Sequence, residues 1–428
     1  MDVRLQKRYL QLVESHMNVV QAVASGVKAL PGVGKAFAAT QAAWRFFANP
    51  RITLPKLVEP LRELGRQGCS DSPSAYVLVV QDWSKLDYDG HKSKTDLTQL
   101  SQVLDRGYEL TTALLVDAHD GATLAPMGME ILSATGVHTT EAEAVQERQP
   151  HLDQVLPWME ASRSWGLSKR CVHVIDREAD SLKHLRQWDL AKHLFLVRAD
   201  DRRVKFRGQS QLISEIVGIL REAGAFQEYT EVSIRGRKGQ QWVAETEIIL
   251  DGPAWSRTPE GKTCRVPGPA LRLRLVIVQV RDASGKILAE WILLTNVWDV
   301  SAVQIALWYY WRWRIESFHK LLKSAGLEVE EWQQETVAAI AKRLLVGCMA
   351  CVTVWALQRQ TTPEAQECQQ FLVRLSGRQM KRNRPVTAPA LLAGLHILLT
   401  MLDVLDQCAP TQLRHYARQA APHLCRSG

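Results

Sequence analysis

The sequence predicts an α/β protein: a mixed sheet flanked by helices, interrupted by a β-rich insertion, with helical regions at both ends. Three observations predict it. Short apolar runs alternate with helical patterns between about residues 71 and 200, as the buried strands and covering helices of a mixed sheet do. From about 200 to 297 the signal is β only. Before residue 70 and after 328 the apolar residues follow helical spacing.

In the first 70 residues, Leu10, Val13, His16 and Val20 lie at helical spacing, and Pro31-Gly32 breaks the pattern. A second helix contains Ala42 to Phe47 and ends near Asn49-Pro50. A third runs from Arg51 to Gly65, with Pro55 tolerated in its first turn. The texture then changes. Tyr76 to Gln81 reads as a buried strand. Tyr108 to Val116 and Ala122 to Ile131 read as two more, joined by an Asp120-Gly121 turn. Thr139 to Gly166 is predicted helical. Cys171 to Ile175 and His193 to Arg198 are strands around a helix from Ala179 to Trp188. In the insertion, strands are expected at 230–235, 241–250, 271–280 and 288–294, with a Pro/Gly-rich loop from Gly252 to Pro269. Residues 300–325 are predicted to form one helix. Helices at 338–357, 364–375 and 388–405 and a short last one complete the chain. The organisation expected is therefore three regions, 1–70, 71–328 and 329–428.

A chain of 428 residues, 46% hydrophobic and 23% charged, has enough apolar surface for a large core. Disorder, a collagen-like fibre and a coiled-coil rod are excluded. Lys and Arg total 53 against 45 Asp and Glu, a net charge of +8 that suits a polyanionic partner. The eight cysteines are scattered, and the start of the chain has no apolar stretch of signal-peptide type. A reducing, cytoplasmic location is expected. Cys348-Met349-Ala350-Cys351 lies in an apolar helical run without a second ligand pair, so two small core residues are expected there, not zinc. The apolar run Leu344 to Leu357 reads as a buried helix.

The chemistry is carried by carboxylates. Asp82 and Asp176 each follow a predicted buried strand, at the sheet edge where α/β folds place their sites. On a helix of about 100° per residue, Tyr309, Arg312, Glu316, Lys320 and Lys323 fall within roughly 80° of one another. Leu307, Trp311, Ile315, Phe318 and Leu322 take the opposite, core-facing side. Two aspartates and a glutamate form an all-oxygen set of the kind preferred by Mg2+ or Mn2+. A pair of such ions can drive phosphodiester cleavage, and the nearby cations can meet phosphates.

Four segments in order carry a resemblance. They are Ala42-Ala43-Trp44-Arg45-Phe46-Phe47-Ala48-Asn49-Pro50, Asp176-Arg177-Glu178-Ala179-Asp180, Trp291-Ile292-Leu293-Leu294-Thr295, and Tyr309, Arg312, Glu316 and Lys323 at fixed spacing. Together they resemble the DDE insertion-sequence transposases of group four, relatives of the transposon-five transposase with a Y-R-E-K signature. The resemblance implies an RNase H-like catalytic core with the β insertion before the glutamate helix, and helical N- and C-terminal domains. It implies Asp82, Asp176 and Glu316 as catalytic ligands of a two-metal Mg2+ or Mn2+ site. Tyr309, Arg312, Lys320, Lys323, Arg198 and Arg45 would contact DNA, and Trp291 would stack on a flipped base. The partners implied are the inverted repeats at transposon ends, target DNA and a second copy of the chain. The activity implied is cut-and-paste transposition; a nuclease of the same fold and a non-enzymatic DNA-binding regulator are the alternatives.

Two departures stand out. Asp82 is followed by Trp83-Ser84 where relatives often carry two threonines, which leaves Asp87 and Asp89 as rivals. The D-x-R segment, Asp2-Val3-Arg4, lies at the very start, where relatives usually carry further residues before it. Arg202 to Arg207, Arg235 to Lys238, and Arg374, Arg378, Lys381, Arg382 and Arg384 form basic clusters suited to phosphates.

Overall fold

The computed structural model describes residues 3–17, 36–101, 105–257, 262–378 and 386–420. It opens with three helices, α1 (Val3–Met17), α2 (Ala36–Ala48) and α3 (Leu54–Asp71). Then come β1 (Tyr76–Asp87), the short β2 (Thr98–Gln99), β3 (Arg106–Asp117), β4 (Thr123–Ser133) and β5 (Gly136–Thr139). Helix α4 (His151–Ser162) leads to β6 (Arg170–Ile175), α5 (Leu182–Leu190) and β7 (Leu194–Arg198).

The segment read as an insertion holds β8 (Arg203–Phe206), β9 (Gln209–Leu212), α6 (Ile213–Glu222), β10 (Gln227–Ile234) and β11 (Arg237–Leu250). A separate ribbon of β12 (Ala254–Arg257) and β13 (Thr263–Val266) follows, then β14 (Leu271–Arg281) and β15 (Ile287–Thr295). Helices α7 (Ala302–Trp311), α8 (Trp313–Lys323), α9 (Val337–Arg359), α10 (Pro363–Leu375), α11 (Ala388–Gln407) and α12 (Pro410–Ala420) complete the described chain.

One mixed sheet of 13 strands runs through the molecule, in the order β5-β4-β3-β1-β6-β7-β15-β14-β11-β8-β9, with β2 on β3 and β10 on β11. β1, β6 and β7 are parallel, whereas β3 runs antiparallel beside β1 and β4 antiparallel beside β3. The insertion does not stand apart from this sheet. Its last strand, β15, pairs antiparallel with β7 through Leu293–Arg198 and Thr295–Leu196, so its strands extend the same sheet. The central strands are buried on both faces, which is why they read as unbroken apolar runs. Residues of α1 to α3, of the sheet and of α7 to α11 share one continuous apolar core, and a second cluster lies under α5 and α6.

Several sequence expectations need correction. β1 does not stop at Gln81 but runs to Asp87, because its pairing with β3 continues after its parallel ladder with β6 has ended at Val80. Asp82 is therefore inside the strand, at the point where β1 parts from β6. Residues 139–150 are not helical. Thr140 Oγ1 accepts from Met129 N at 3.0 Å, Thr139 Oγ1 accepts from Glu141 N at 3.2 Å, and Pro150 marks the start of α4. These threonine hydroxyls offer the backbone an alternative to the helix. The insertion is not β only: Ile213, Ile216, Val217 and Leu220 bury the inner face of α6. The helix expected over 300–325 is divided at Arg312. There the bonding tightens to the i−3 pattern, with Arg312 N donating to Tyr309 O and Ile315 N to Arg312 O.

Helices α9 and α11 are each long and apolar enough to cross a membrane by length and composition. Most of α9 is buried in the core, including Cys348 and Cys351, whereas α11 is largely open.

Candidate functional site

The site forms where three distant segments meet. β1 brings Asp82, and the end of β6 brings Asp176. The junction of α7 and α8 brings Tyr309, Arg312 and Glu316. Packing of α7 and α8 on the sheet sets this junction, since Ile305, Trp308, Ile315, Phe318 and Leu322 are all buried. Trp308 Nε1 donates to Ala118 O at 2.9 Å, and Arg314 Nε donates to Gly121 O at 2.8 Å, which pins both helices to the β3–β4 turn.

Arg312 is the hub. Its side chain is buried, and Nη2 lies 2.7 Å from Glu316 Oε1 while Nη1 lies 3.5 Å from Asp82 Oδ2. Burial alone would lower its pKa, but Tyr309, Asp82 and Glu316 together raise it. Asp82 is pushed up to about 6. Burial is the main cause, and the charges of Asp176 and Glu316 add to it, against Arg312 and the Trp83 N–H that favour the carboxylate. Asp176 caps the short 3-10 turn Arg177–Ala179, accepting from Glu178 N at 2.9 Å. Asp180 ends that turn with its side chain buried, 2.6 Å from Arg202 Nη2. Arg202 is thus occupied in holding the segment, not free for phosphate.

The other expected residues divide into two groups. Trp291, Arg198 and Tyr309 stand together. Trp291 is buried edge-on to Tyr309, at 5.7 Å between centroids, and 6.5 Å from Tyr310. Trp291 and Arg198 line a cavity of about 600 Å3 with Arg235, Tyr310, Trp313 and Arg314. The crowding of Trp308, Trp311 and Trp313 in the sequence suggests a helix lining a cleft, but Tyr310 and Arg314 are not singled out by it.

Lys320, Lys323 and Arg45 form the second group, which does not line the Trp291 cavity. Lys320 lines a cavity of about 710 Å3 between α8 and the C-terminal helices, with Arg359 and Arg378. The Lys323 ammonium is held by the Lys85 carbonyl and, at 3.2 Å, by Glu330. Arg45 is exposed on α2 and bonds Gln41 at 3.2 Å. Of the rivals to Asp82, Asp87 ends β1, but it caps a turn by accepting from Asp89 N. Lys381, Arg382 and Arg384 lie outside the described residues, as do Asp2, Val20 and Pro31-Gly32.

The donors suit a hard divalent ion in kind, since all three are carboxylates. Their spacing is set by a guanidinium instead. Among the described residues no three Asp, Glu, His or Cys side chains approach closely enough to hold an ion together. Arg312 already occupies the cationic position between Asp82 and Glu316.

No family model matches the chain. Among solved structures it resembles the piggyBac transposase synaptic complex with hairpin DNA, determined by cryo-EM. The TM-score is 0.39 and the identity 8%, covering 100% of this chain and 77% of that one. Likeness at that level fixes neither a fold nor an activity.

Proposed function

We propose that this chain is a DNA transposase of the DDE type, with an RNase H-like core, acting by metal-dependent cut-and-paste transposition. The observation that carries the reading is the meeting of Asp82, Asp176 and Glu316. They come from positions 94 and 140 residues apart (176 − 82 and 316 − 176), yet Asp82 feels the charges of both Asp176 and Glu316 beside one buried arginine. The strand order β4-β3-β1-β6-β7, with β1, β6 and β7 parallel, supports the RNase H-like reading.

In this reading Asp82, Asp176 and Glu316 would hold Mg2+ or Mn2+ once Arg312 releases the two carboxylates that it bridges. A divalent ion held there would supply Lewis-acid activation of water and stabilisation of the leaving oxygen. Arg312, once released, would be free to turn its fork to a DNA phosphate, for which a guanidinium is well shaped. Arg198, Arg235 and Arg314 give the Trp291 cavity a basic wall, and its aromatic residues offer faces for an unstacked base. Hydrolysis of one strand at the element's end would free a 3′-hydroxyl. Its attack on the opposite phosphodiester would close a hairpin and expel the flanking DNA as a 3′-hydroxyl. Water would reopen the hairpin, and the same 3′-hydroxyl would then attack a target phosphodiester, expelling a target 3′-hydroxyl. α11 exposes Met401, Leu402 and Leu405, an apolar strip suited to pairing with a second copy on paired ends.

The test is cleavage of DNA carrying the element's flanking inverted repeats, with Mg2+ or Mn2+, by wild type and Glu316→Ala. Metal-dependent nicking at the repeat boundary is expected, lost in the variant by more than ~100-fold. One observation favours a second reading, a DNA-binding regulator without metal chemistry: Arg312 already bridges Asp82 and Glu316. DNA binding by wild type, with no cleavage in either metal, would establish that alternative.

A further inference from the structure

The residue after Asp82 is a tryptophan, partly buried against the edge of the second apolar cluster. Trp83 stacks face to face on His151, the first residue of α4, at 4.7 Å between centroids and 12° between planes. Its indole N–H reaches Gln154 Oε1, one turn further along the same helix, at 3.3 Å. The imidazole is fixed on both sides: one ring nitrogen lies 2.8 Å from Glu109 Oε1 on β3, and the other 3.4 Å from Glu178 Oε2. Glu178 belongs to the turn that Asp176 caps through its backbone N–H. A continuous line of contacts therefore runs Asp82–Trp83–His151–Glu178–Asp176, joining the two aspartates through side chains as well as through the sheet.

This line has a mechanical reason. β1 and β6 are hydrogen-bonded only as far as Val80 and Val174, so both aspartates lie beyond the last rung of their shared ladder. No direct β1–β6 hydrogen bond fixes their separation there, since Asp82 pairs only with β3 and the last rung before Asp176 is Ile175 on β7. α4 lies across the gap, and the stacked pair joins it to the β1 side while the imidazole joins it to the Asp176 turn. Glu109, opposite Lys85 on β3, anchors the imidazole to the other neighbour of β1.

We propose that Trp83 and His151 are positioning residues that set the distance between Asp82 and Asp176. The effect on cleavage rests on the reading of those aspartates as catalytic; the effect on local order does not. Groups that orient metal-binding carboxylates from behind typically change activity by about 10–100-fold when removed.

The experiment compares the full chain with Trp83→Ala, His151→Ala, their double variant and Trp83→Phe. Three quantities are read: single-turnover cleavage rate, DNA affinity, and amide hydrogen exchange in the metal-free protein. Both alanine variants are expected to exchange faster at 176–180 while β3 and β4 stay protected. Cleavage should fall about 10–100-fold with DNA affinity unchanged. The double variant should be no slower than the worse single one, because the two rings act as one unit. Trp83→Phe, which keeps a stacking ring, should retain most of the rate. Unchanged exchange at 176–180 would overturn the proposal whether or not the protein cuts DNA. So would a cleavage loss matched by an equal loss of DNA affinity. A wild type that does not cut, with exchange still altered in the variants, would sink the transposase reading and leave the positioning role standing.

Discussion

Asp82 carries a charge that its surroundings resist. Its ordinary pKa of 3.8 becomes about 6 in the fold, chiefly through burial. At pH below 3.8 the side chain is neutral in both folded and unfolded chains. As pH rises from 3.8 to 6 the unfolded chain gives up the proton first, so stability falls across that window, and the cost is complete above it. Asp82→Asn should therefore stabilise the protein at neutral pH, by about 1–3 kcal/mol, while abolishing cleavage. Thermal unfolding followed against pH checks this: the gain should shrink as pH drops from 6 toward 3.8, and a destabilised variant at neutral pH would refute it. The position of Asp82 after an apolar run was legible in the sequence, as was the charged stripe at Arg312 and Glu316. The roles of Glu109, His151 and Glu178 were not. No local pattern shows that a histidine at the start of one helix will meet carboxylates from a strand and a turn that lie 42 and 27 residues away.

At the scale of elements, the seat of α7 and α8 on the β3–β4 turn decides where Arg312 points. Gly121 in that turn has φ +72°, and a Cβ there would stand 2.4 Å from Trp311, the residue before Arg312. Gly121→Ala would force both a left-handed alanine and a displaced indole. It should destabilise the fold by about 1–3 kcal/mol, seen as a lower Tm, with cleavage falling further than DNA binding. An unchanged Tm would show that the turn does not seat the helices. This element shows why the sequence reading of 300–325 was only half right. Helical periodicity persists through Arg312, whose φ and ψ stay helical at −50° and −35°, so the break leaves no trace in the spacing. α6 is the opposite case. Ile213, Ile216, Val217 and Leu220 do stand at helical spacing, but strand patterns on either side masked ten helical residues.

At the scale of the whole molecule, Arg198, Arg235, Arg314, Lys320, Arg359 and Arg378 line two cavities that share Arg314 and Ser317. With a net charge of +8 on the chain, DNA binding should fall steeply with salt. Replacing both Arg314 and Arg378 with Gln should flatten the slope of log affinity against log salt by about one or two, read by filter binding or anisotropy. Leu402→Glu on the open face of α11 should leave binding of a single DNA end intact and prevent the paired-end complex, separable by gel mobility. The central claim is that strands and helices far apart in sequence converge to hold divalent metal in place of Arg312. Mn2+ binding followed by electron paramagnetic resonance tests it most directly, on wild type beside Asp82→Ala, Asp176→Ala and Glu316→Ala. The account predicts binding by the wild type that each substitution alone removes. Binding that survives all three, or a wild type that takes up no Mn2+ with or without DNA, would contradict it.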